Sequence, residues 1–68
     1  MRQHIHEYLK ASIYHSIANS KDGIATEDIK KELSVTVENA AEFDACMNEL
    51  KDDGLIVYDS RKGLWRAA

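Results

Sequence analysis

After Gly54 the apolar residues change their period, and that change limits what the chain can become. Upstream of it, Ile5, Leu9, Ile13 and Ile17 recur at four-residue steps, and Ala40, Phe43, Cys46, Met47 and Leu50 also follow helical spacing. At 3.6 residues per turn each set shares one face of a helix. Downstream, residues 55–59 and 64–67 flank Ser60-Arg61-Lys62-Gly63, which suits a four-residue hairpin loop. Pairing outward from that loop sets Tyr58 opposite Trp65 and Ile56 opposite Ala67 on one face, leaving Val57, Asp59, Leu64 and Arg66 on the other. The Tyr58–Trp65 face is expected to lie on the helices, its rings supplying much of the buried area. A chain of 68 residues without a linker or repeat builds one domain, spanning 1–68. A core that small leaves a margin of roughly 3–5 kcal/mol.

Local signals place the boundaries. The first helix covers about Arg2 to Asn19, and Asn19-Ser20-Lys21-Asp22-Gly23 ends it, with Gly23 suited to the left-handed conformation of a helix C-terminus. Ile24-Ala25 is a stub of extended chain. Thr26 is expected to cap a short second helix, in which Glu27 and Asp28 complement the dipole and Ile29 and Leu33 form the buried stripe. Ser34-Val35 breaks that helix, and Thr36 is expected to cap a third that runs to about Asp52 and closes at Gly54.

Helix, stub strand, short helix, turn, helix and hairpin is the element order of the winged helix-turn-helix superfamily. The segment Gly23-Ile24-Ala25-Thr26-Glu27-Asp28-Ile29-Lys30-Lys31-Glu32-Leu33 resembles its strand and second helix. Phe43-x-x-Cys46-Met47-x-x-Leu50, followed by Asp52-Asp53-Gly54-Leu55-Ile56, is similar to its third helix and first wing strand. The resemblance covers nearly the whole chain. It implies an α+β, mainly α fold, three helices with a C-terminal β-hairpin wing, like the domains of small bacterial and phage-type transcriptional regulators. It also implies that duplex DNA is the partner, the third helix entering the major groove and the wing touching phosphate.

Charge redistributes that expectation. From Thr36 to Asp53, Glu38, Glu42, Asp44, Glu49, Asp52 and Asp53 face a single base, Lys51. Groove insertion would strip hydration from those carboxylates beside phosphate without a compensating cation. The cations lie elsewhere, with Arg61, Lys62 and Arg66 in the hairpin and Lys30-Lys31 in the second helix. DNA contacts are therefore expected mainly from the wing and from Lys30 and Lys31, with polar help from Thr36 and Asn39, and binding by a monomer is expected to be weak. The competing expectation is a protein-interaction domain. In it, Glu38, Ala41, Glu42, Ala45 and Glu49 of the third helix form an acidic face that docks a basic partner, with the alanines allowing close approach.

His4, Tyr8, Ala11 and His15 form a second stripe on the first helix, roughly opposite the apolar one, and are expected to make a homodimer contact. His6 lies on the apolar side as a core-edge histidine. His4-x-His6 has the wrong spacing for two helical ligands, and Cys46 belongs to a packing stripe on another helix, so neither metal nor cofactor is expected. Without a Gly-rich phosphate loop or a Ser-His-Asp arrangement, catalysis is not expected. One cysteine forms no internal disulfide, and no apolar run approaches a membrane span or a secretion signal. These features lead to the expectation of a cytoplasmic protein that does not enter membranes.

Overall fold

The computed structural model describes the backbone of residues 2–68 and the side chains of residues 6–68. Within them the chain forms three helices, α1 (Arg2–Ala18), α2 (Thr26–Glu32) and α3 (Ala40–Asp52), then an antiparallel hairpin of β1 (Ile56–Asp59) and β2 (Leu64–Ala67). Helix α1 touches α2, α3 and β2, so it is the element around which the others gather. Its Ile13 and Ile17 are fully buried, together with Ile29 of α2, Phe43, Cys46 and Leu50 of α3, and Ile56 of β1. Leu9 packs on the edge of this cluster, while the side chain of Ile5 lies outside the described residues.

The register of the hairpin is Ile56↔Ala67, Val57↔Arg66, Tyr58↔Trp65 and Asp59↔Leu64, as the outward pairing from the loop predicts. Its inner face is used unevenly. Ile56 is buried and Trp65 packs against the core, but Tyr58 is half exposed and covers the outer side of Trp65, ring centroids 4.9 Å apart. The expectation that Tyr58 lies on the helices is therefore corrected: Trp65 takes the place against the core, and Tyr58 packs on the indole instead.

Ile24 pairs with Trp65 through two backbone hydrogen bonds, each 2.8 Å, so the stub after α1 joins the hairpin. Gly23 does not cap α1, which ends at Ala18. It closes the following turn by donating its amide to the Ser20 carbonyl, and delivers Ile24 to β2. Thr26 is likewise not the cap of α2 but its first residue, because its hydroxyl is engaged elsewhere: it accepts the Trp65 indole N–H at 2.9 Å.

Helices α2 and α3 end alike. In α2 the Ser34 amide donates to the Lys31 carbonyl and the Val35 amide to that of Lys30; in α3, Gly54 donates to Lys51 and Leu55 to Leu50. This is the Schellman pattern, which satisfies carbonyls a helix end would orphan. Helix α3 begins at Ala40 with Asn39 at its cap position, three residues later than a cap at Thr36 suggests, since the Thr36 amide donates to Asn39 Oδ1 at 2.7 Å and closes a turn that occupies residues 37–39.

Candidate functional site

Two charged regions stand out. The first is the hairpin tip. Asp59 Oδ1 accepts the backbone amides of Arg61 (3.0 Å) and Lys62 (3.4 Å), and the Gly63 amide donates to the Asp59 carbonyl at 2.7 Å. The aspartate thereby folds the loop over itself, an Asx turn that turns the two cationic side chains outward. Arg61, Lys62 and Arg66 are exposed, and none of them meets a carboxylate among the described residues. Behind the tip, the Ile24 bridge and the indole–Thr26 bond fasten β2 to the helical body.

The other polar and cationic candidates are dispersed. Lys30 is half-buried, with its ammonium 5.6 Å from the centre of the Phe43 ring, so it belongs to the contact between α2 and α3. Lys31 is exposed. Thr36 and Asn39 are exposed, but the Asn39 side chain is committed to the Thr36 amide.

The second region is the seam between α1 and α3, and it corrects the picture of α3 as a uniformly outward acidic face. His6 contacts Glu42 through Nδ1 and approaches Glu49 Oε2 through Nε2 at 2.8 Å. One turn further along α1, Lys10 Nζ reaches Glu49 Oε1 at 3.2 Å and Asp53 Oδ2 at 3.6 Å. Glu42 and Glu49 thus face α1, because both flank Cys46 on the side of α3 that packs there. The two carboxylates hold the His6 imidazole above its usual range, Glu42 contributing most. In turn His6, followed by Lys10, holds the Glu49 carboxyl below its ordinary value. Cys46 Sγ lies 3.7 Å from His6 Nδ1 and 3.6 Å from the His6 carbonyl oxygen. Burial, aided by the nearby Glu42 and Glu49 charges, pushes its thiol up to about 11.

Of the five residues expected on a docking face, Glu38, Ala41, Glu42 and Ala45 are exposed and Glu49 is half-buried, and the carboxylates of Glu42 and Glu49 are both paired with His6. Of the four expected at a dimer contact, Tyr8, Ala11 and His15 are exposed on α1, and the side chain of His4 lies outside the described residues. The spacing of His6 and Lys10 on α1, and of Glu42 and Glu49 on α3, was a signal of complementary helix flanks. Periodicity alone did not say that these two flanks would meet. No helix is long and apolar enough to cross a membrane among the described residues. Comparison of the chain with known families, characterised proteins and solved structures returns no match.

Proposed function

We propose that this chain is a winged-helix DNA-binding protein, a small transcriptional regulator that engages duplex DNA mainly through the cationic tip of its hairpin. The observation that carries the reading is a trio of exposed cations, Arg61, Lys62 and Arg66, on a hairpin tied to the helices by Ile24 and Thr26. A fastened loop presents its charges without the ordering cost a mobile one would meet on binding. The pairing of Glu42 and Glu49 with His6 and Lys10 lowers the repulsion that α3 exerts on phosphate. Asp44 and Asp52 stay exposed on α3, so the hairpin rather than α3 supplies the favourable charge. Two copies joined through Tyr8, Ala11 and His15 would present two hairpins to one duplex, as symmetric dimers do.

The test is titration of a labelled duplex at several salt concentrations. Each neutralised phosphate contributes a slope of about −0.9 in log affinity against log salt. Arg61→Ala/Lys62→Ala should weaken binding and flatten that slope by roughly 1.8, the share of two contacts. An unchanged slope in this variant overturns the reading.

A protein-docking alternative is favoured by one observation: Val37 is 95% exposed beside Glu38, just ahead of Ala41 and Ala45. An apolar side chain among acids suits a basic partner with an apolar anchor. On that reading the wild-type chain shows no DNA binding even at low salt.

A further inference from the structure

Three donor atoms of different chemistry meet at the seam between α1 and α3. The ligand atoms of His6, Glu42 and Cys46 all lie within 4.8 Å of one another. Cys46 Sγ lies 3.7 Å from Nδ1 and 4.0 Å from Nε2, so the sulfur that α3 packs into the core also borders the imidazole that Glu42 holds. With zinc bonds of about 2.0–2.3 Å, tetrahedral geometry sets neighbouring donors roughly 3.3–3.6 Å apart, close to the first of these separations. The opposite ring nitrogen faces Glu49 Oε2 at 2.8 Å, and Glu49 is held in turn by Lys10 at 3.2 Å. A carboxylate on the far nitrogen is the arrangement that fixes the tautomer and the plane of a metal-bound histidine.

We propose that His6 Nδ1, Cys46 Sγ and Glu42 form a three-donor site for a zinc ion, with water as the fourth ligand and Glu49 as the residue that orients His6. The donor set selects the ion. Thiolate with imidazole disfavours magnesium and calcium, which require oxygen donors, whereas zinc accepts sulfur, nitrogen and carboxylate oxygen together. Loading opens the contact between His6 Nδ1 and Glu42 and turns the Nδ1 edge of the ring toward Cys46, which borders both ring nitrogens, to admit the ion. The Cys46 thiol proton and the Nδ1 proton leave to solvent, and Nε2 keeps its proton for Glu49. Glu42, at 44% side-chain exposure, provides the open side through which an ion enters. The bound ion replaces a proton bridge between α1 and α3 with a metal bridge, and so couples the stability of this helix pair to zinc. The site stands independently of DNA binding.

The experiment uses the untagged full chain, stripped with chelator and titrated with zinc by calorimetry and with cobalt by absorption. The expected result is one ion per chain, a sulfur-to-cobalt charge-transfer band, and a melting temperature raised by zinc. His6→Gln should weaken binding at least tenfold and abolish the zinc-dependent rise in melting temperature. Glu49→Gln should weaken binding 10–100-fold yet keep the cobalt–sulfur band, the signature of a positioning residue rather than a ligand. Cys46→Ser should remove the band. Since Cys46 is buried and its replacement can unfold the chain, the half-buried His6→Gln variant, checked for helix content by circular dichroism, decides the matter. Absence of the cobalt–sulfur band in the wild type, or zinc affinity unchanged in His6→Gln, overturns the proposal.

Discussion

Gly23 and Ser34 both occupy the left-handed backbone region, with φ of +100° and 53°. The consequences of changing them are opposite. A Cβ at Gly23 would stand 3.0 Å from both Leu64 Cβ and the Trp65 carbonyl oxygen, so the strand that receives Ile24 leaves no room for one. Gly23→Ala should lower stability by at least about 1–2 kcal/mol from the backbone conformation alone, and the contact with β2 adds to this. Ser34 already bears that backbone cost at an exposed helix end that closes like the one at Gly54. Ser34→Gly should raise stability by about 0.5–1 kcal/mol, the relief of the left-handed strain less the added entropy of an unfolded glycine. Thermal melts check both, since 1 kcal/mol moves the midpoint by roughly 4–8 °C in a domain of this size.

Between elements, two polar connections do separate work. The hairpin is held by the Trp65 indole N–H donating to Thr26 Oγ1. Trp65→Phe and Thr26→Val should each remove this bond at about 0.5–1.5 kcal/mol, apart from the ring area that phenylalanine gives up. The double variant should lose less than the sum of the singles, because one bond is counted in both, and urea unfolding of the four chains measures the difference. At the seam between α1 and α3, pH should tune stability in metal-free buffer. His6 has a raised value in the fold, so its contribution is complete below the ordinary 6.5 and is lost as pH rises through the higher folded value. Glu49 has a lowered value, so its contribution is present above the ordinary 4.5 and is lost as pH falls through the depressed folded value. The stability gap between wild type and His6→Gln should therefore be widest between those two pH values and narrow on either side. A pH series of urea midpoints in chelator reads this directly.

For the whole molecule the margin is the governing quantity. Phe43 is fully buried among residues from all three helices and the hairpin. Phe43→Ala should cost about 3–5 kcal/mol, which matches the entire roughly 3–5 kcal/mol available to a core of this size. The expected outcome is loss of cooperative melting, read by near-ultraviolet circular dichroism. Much of this architecture was legible in the sequence, because helix stripes, the break at Gly54 and the pairing outward from Ser60-Arg61-Lys62-Gly63 are consequences of backbone periodicity, which neighbouring residues impose locally. Hence the four-residue register and the burial of Ile13, Ile17, Phe43 and Leu50 followed from spacing. What Thr26, Tyr58, Glu42 and Glu49 do was decided only when distant segments met. Thr26 reads as a cap until an indole thirty-nine positions away claims its hydroxyl. Glu42 and Glu49 read as solvent-facing until α1 brings His6 and Lys10 alongside. A side chain on the flank of a helix has no preferred environment of its own, and the packing of the neighbouring helix assigns one.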